Sequence, residues 1–114
     1  MATPKTYETA VSDWRRVAAT SDRAWLTYRK ARERREKHRG TYAAEQGVID
    51  ASAAVGRAQD NLADKAVILR RACRTLAEQE LASAARACVP YKAPTFGEVT
   101  VRAETLFAAA IGGA

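Results

Sequence analysis

Tyr7, Val11, Trp14, Ala18, Ser21, Trp25 and Tyr28 recur at alternating spacings of four and three. That period lays them along one stripe of an α-helix, the kind of seam that packs against a second helix. Thr3-Pro4 supplies an entry, with Thr as cap and Pro at the first helical position, and Thr6 ahead of Glu8 offers another. The next position of the stripe is Arg32. A first helix over about 6–38 is therefore predicted to carry an apolar face for about six turns and then to continue as a tail charged on every side.

His38-Arg39-Gly40-Thr41 reads as the turn that follows: a cationic last helical turn, a Gly suited to a left-handed backbone, and a Thr able to cap the next helix. A second helix is predicted over about 42–88, stopped by Val89-Pro90. Its seam reads Val48, Ser52, Val55, Gln59, Leu62, Ala66, Leu69, Cys73 and Leu76. Gly47 and Gly56 are its weak points, each costing about 1 kcal/mol against Ala, and the sequence leaves open whether the helix kinks or breaks near them. After a connector over 89–95, Thr95 and Glu98 form a capping box for a short helix over about 97–110. Val99, Ala103, Leu106, Phe107 and Ala110 share one face of it, and Gly112-Gly113 ends it. A strand through Val99-Thr100-Val101 is the rival there, but the helical period outlasts the alternation.

These elements predict an all-α fold: a long antiparallel helical hairpin with a short C-terminal third helix, one domain over residues 1–114. The second helix is longer than the first, and the third has about the length needed to cover the overhang.

Composition makes this core thin. Of the 47% hydrophobic residues, 26 are Ala, and Leu, Ile, Val and Phe together number only 19. Each Ala removes little apolar surface from water, so burial stabilises a lone monomer only marginally, which points to self-association or a protein partner. The abundance of Ala and Arg suggests a gene of a high-GC bacterium or its phage. The N-terminus has no apolar run resembling a secretory signal, and Leu106 to Ala114 is too short for a bilayer. The expectation is a cytoplasmic protein, virion-associated if phage-encoded, with no membrane contact.

Charge is concentrated in one place. From Arg29 to Arg39, seven Arg or Lys and two Glu give +5 of the chain's +6. Arg29, Lys30, Arg32, Arg34, Arg35, Lys37 and Arg39 are therefore the candidates for binding an anionic partner, either phosphate or carboxylate. Arg29, Arg32, Arg35 and Arg39 fall on one broad side of a helical wheel, and Lys30, Arg34 and Lys37 on the other. The competing reading is a solvated helix supported by Arg29–Glu33, Arg32–Glu36 and Glu33–Lys37 pairs. Arg70, Arg71 and Arg74 form a second, smaller cluster.

Tyr42, Val48 and Ile49 are predicted to face the charged tail without an apolar partner, which makes them candidate protein-interface positions. Trp25 and Tyr28 join them as large anchors, although with Tyr7 and Trp14 they read first as core packed against the Ala-rich second helix. Cys73 and Cys88 are too far apart along one helix to pair and read as buried thiols, with a bridge between subunits as the alternative. One His and two distant Cys make no zinc set, so no metal or other cofactor is expected. His38 reads as a solvated turn residue, and Asp60 with Asp64 lacks the opposing groups that acid–base chemistry needs. Neither catalysis nor a small-molecule substrate is expected. The sequence points to a non-enzymatic helical interaction or assembly protein, with a small basic nucleic-acid-binding accessory protein as the alternative.

Overall fold

A computed structural model describes residues 5–112, which form three helices: α1 (Lys5–Lys37), α2 (Tyr42–Arg86) and α3 (Phe96–Gly112). No strand occurs among the described residues, and the Val99-Thr100-Val101 segment lies inside α3. The fold is the predicted antiparallel hairpin with a short third helix. The Thr3-Pro4 entry and the Gly113 stop lie outside the described residues. α2 runs as one helix through Gly47 and Gly56, with no break at either. Its hydrogen-bond ladder and its packed seam outweigh the glycines' backbone entropy.

The two predicted boundaries have different chemistry. Gly40 takes the left-handed conformation, φ +82°, and the His38 carbonyl accepts from both the Thr41 N–H at 3.2 Å and the Thr41 hydroxyl at 2.8 Å. Thr41 thus stands at the start of α2, its carbonyl accepting from the Glu45 N–H, but its side chain closes the turn behind it instead of capping the helix ahead. At α3 the Thr95 cap forms, with Glu98 held by the Thr95 hydroxyl and not by its backbone N–H. The Thr95 hydroxyl accepts from the Glu98 N–H and donates to the Glu98 carboxylate, both at 3.2 Å.

Packing divides into two units. One draws on α1 as far as Trp14 and on the chain from Lys65 onward; the other spans Arg15–Asp64. In the first, called here the three-helix unit, Ala10, Leu69, Ala72, Cys73 and Ala110 are buried, with Tyr7, Val11, Trp14, Leu106 and Phe107 packed around them. Leu69 and Cys73 are completely enclosed. The Arg70 guanidinium lies 3.9 Å from the Phe107 ring centroid, and that of Arg74 lies 4.6 Å from the Phe96 ring and 3.4 Å from the Thr100 hydroxyl. Arg102 closes an ion pair to Glu80 at 2.9 Å. Arg70 meets Phe107 near the end of α3 and Arg74 meets Phe96 and Thr100 near its start, so the two helices are antiparallel. α3 does more than cover an overhang, because Ala110, Leu106 and Phe107 join a cluster that also holds Ala10 of α1.

The second, called here the hairpin-end unit, buries Ser21, Ala44, Val48, Ala51, Val55 and Ala58. The predicted seam is half right. Val48 and Val55 hold, but Ser52 and Gln59 are exposed and the residues one place earlier, Ala51 and Ala58, are buried instead. The same displacement occurs on α1, where Ala24 and Ala31 are half-buried while Trp25 and Arg32 stand in solvent. Both spacings alternate three and four, so the period alone does not choose between them. Desolvation does: Ser, Gln and Arg lose hydration in a seam, whereas Ala loses none and lets the helices approach closely. The α1 tail is consequently not bare on every side, for the seam continues through Ala31 and a half-buried Arg35.

Candidate interaction surface

The candidate residues cluster in the hairpin-end unit. Their arrangement follows from the corrected seam. In two antiparallel right-handed helices, the residues that directly follow seam positions fall on the same side of the pair, and those that directly precede them fall on the other. On the following side α1 places Trp25, Arg29, Arg32 and Glu36, and α2 places Tyr42, Glu45 and Ile49. On the preceding side lie Lys30, Arg34 and Lys37 of α1 with Ala43, Gly47, Asp50 and Ala54 of α2. The basic run is thereby split in two. One part is interleaved with large apolar side chains, and the other stands over small ones.

The mixed side is open. Tyr42 is 82% exposed, Ile49 60% and Trp25 41%. Tyr28, at the seam, meets Trp25 edge-on with ring centroids 5.9 Å apart, and the Arg32 guanidinium sits 5.8 Å from the Tyr28 ring centroid. Val48, expected beside Tyr42 and Ile49 on the open face, is instead buried between the helices, because it occupies a seam position and they do not. Trp25 is the reverse case: the predicted seam placed it inward, and it lies at the edge.

Along the run, Arg29, Lys30, Arg32, Arg34, Lys37 and Arg39 are exposed, and Arg35 is half-buried. None of the predicted pairs Arg29–Glu33, Arg32–Glu36 and Glu33–Lys37 closes among the described residues. Glu36 pairs with Arg39 instead. That hydrogen bond and charge hold the Glu36 carboxyl below its ordinary range and raise Arg39, with Arg35 and Arg32 adding to the effect on Glu36. Arg29, Arg32, Glu33 and Glu36 line a shallow depression on this side.

The remaining candidates lie elsewhere or apart. Arg70 and Arg74 are engaged with the α3 aromatic rings, a use visible in the sequence only as Phe96 and Phe107 at the two ends of the third helix. His38 is exposed in the turn, and Asp60 and Asp64 are exposed on α2. Cys73 is buried, and burial pushes its thiol up against a smaller opposing pull from Arg70. Cys88 is exposed, correcting the expectation of two buried thiols: α2 ends at Arg86, so Cys88 falls past the helix, with its thiol 3.5 Å from the Ala84 carbonyl.

No family model matches the chain, and no curated protein or solved structure is significantly similar to it. The reading of this surface therefore rests on its own chemistry. Among the described residues no three His, Cys, Asp or Glu side chains gather as a metal set, and no helix is long and apolar enough to cross a membrane.

Proposed function

We propose that this chain is a non-catalytic helical interaction or assembly protein that docks on another protein through the mixed side of its hairpin end. The observation that carries this reading is the exposure of Tyr42, Ile49 and Trp25 on one side of a helix pair that buries only Ser, Ala and Val. Exposed aromatic and aliphatic side chains ringed by Arg have the composition of protein-binding hot spots. Self-association belongs to the same reading and would use other open apolar positions, such as Val67 and Ile68 on α2.

A second reading has its own support. Lys30, Arg34 and Lys37 share a side with Ala43, Gly47, Asp50 and Ala54, where three cations against that acid leave a net positive surface for a phosphate backbone. On this alternative the chain is a basic accessory protein for nucleic acid.

The two separate by substitution. K30E/R34E/K37E and Y42A/I49D change opposite sides of one hairpin and should leave the helical circular dichroism nearly unchanged. Immobilised wild type and both variants are compared for capture of partners from nuclease-treated extract of the source cells. Capture lost in Y42A/I49D and retained in K30E/R34E/K37E supports the protein-docking reading. Capture equal in all three contradicts it. Binding to duplex DNA that vanishes in K30E/R34E/K37E and falls steeply between about 50 and 200 mM salt supports the alternative.

A further inference from the structure

The mixed side carries enough geometry and charge to say what kind of partner fits it; this step rests on the protein-docking reading. Tyr42 and Ile49 are seven residues apart on α2, about 10 Å along its axis at 1.5 Å per residue. Trp25 lies farther from the turn along α1, and counting outward from the helix ends at Lys37 and Tyr42 puts it about 8 Å beyond Ile49. The three anchors therefore form a stripe about 18 Å long, the rise of about twelve helical residues or a little over three turns. Such a stripe, seated beside the groove between two helices, matches the apolar face of one further helix laid along the pair.

Charge then selects among helices. Arg29 and Arg32 border the stripe, and neither forms an ion pair among the described residues. The acids on this side are Glu33 in the same depression, Glu36, already held by Arg39, and Glu45. Behind them stands the field of the whole run, +5 within eleven residues. A second copy docking by the same hairpin end would bring a second run of net +5, on both sides of its helix, up to the first, and like charges brought together are unfavourable. Nor does the rest of the chain offer an acidic counterpart. Arg15–Asp64 carries eleven positive and seven negative residues, net +4, and the remainder carries eight and six, net +2.

We infer that the Trp25–Arg29–Arg32–Tyr42–Ile49 face binds an acidic amphipathic helix of a different protein, with apolar residues spaced over about three turns and Glu or Asp flanking them. The partner helix completes a three-helix packing at the hairpin end. Its carboxylates meet Arg29 and Arg32, while Lys30, Arg34 and Lys37 steer its approach from the opposite side.

The test is fluorescence anisotropy of the full chain with an 18-residue probe peptide, built with Leu at i, i+4, i+7 and i+11 and Glu and Ala elsewhere. The controls are a scrambled peptide of identical composition and a 20-base-pair DNA duplex. The amphipathic peptide is expected to bind at least about tenfold tighter than the scrambled one, and I49D or R29E/R32E to weaken it by about tenfold or more. Its affinity should also fall as salt rises. Equal binding of both peptides, no detectable binding of either, or insensitivity to I49D would overturn the inference. So would tight duplex binding that K30E/R34E/K37E abolishes while the amphipathic peptide shows no preference over its scramble. Sedimentation velocity and the extract capture described above test the broader reading. A peptide failure with capture still dependent on Tyr42 and Ile49 removes only this class of partner, whereas failure of both removes the docking role.

Discussion

The two units of this chain are made from the same two long helices, yet they bury different things. The three-helix unit encloses Leu69 and Cys73 completely and uses Trp14, Leu106 and Phe107 around them. The hairpin-end unit buries nothing larger than Val and leaves Trp25, Leu26, Tyr42 and Ile49 in solvent. A pair of helices has one line of contact, and only residues on it escape water; a third helix turns that line into an enclosed volume. The difference between the units is thus what α3 encloses, since the three-helix unit also leaves large apolar side chains such as Ile68, Phe96 and Val101 in solvent.

Truncations in the two seams test this contrast most strongly. Leu69→Ala empties an enclosed site and is expected to cost about 3 kcal/mol, whereas Val55→Ala in the two-helix seam should cost about half that. Urea unfolding followed at 222 nm measures both, and equal losses would remove the distinction between an enclosed core and a thin seam. A smaller effect of opposite sign comes from Gly56, which is exposed in α2 with nothing within 4 Å of an added Cβ. Gly56→Ala should stabilise the chain by up to about 1 kcal/mol through the unfolded state and helix propensity. Destabilisation there would mean that the hairpin end depends on a local flexibility its continuous helix does not display.

Much of this architecture was legible in the residue pattern, for identifiable reasons. Gly40 and the Thr95 cap are local chemistry, and each ends or begins a helix within two residues of the predicted place. The seams were readable only as a period. Val48 and Val55 recur every seven residues in either phase, and the choice between Ala51 with Ala58 and Ser52 with Gln59 turns on desolvation against the opposite helix, not on spacing. That one-residue displacement matters most for the candidate surface. It moves Trp25 and Arg32 from the seam to its edge, while the division of Lys30, Arg34 and Lys37 from Arg29 and Arg32 was already legible on a helical wheel. The roles of Arg70 and Arg74 were hidden for another reason: a basic cluster looks alike in sequence whether it faces solvent or two aromatic rings brought in by a distant helix.

The central claim is that the hairpin end is the incompletely packed half of the molecule, and native-state amide hydrogen exchange of the free chain reads it most directly. Amides of Leu69–Ala77 should be the slowest, and those of Ala44–Ala58 should exchange at least about tenfold faster, as expected where helical hydrogen bonds are shielded by one neighbour instead of two. Equal protection of both stretches, or slower exchange over Ala44–Ala58, would contradict it.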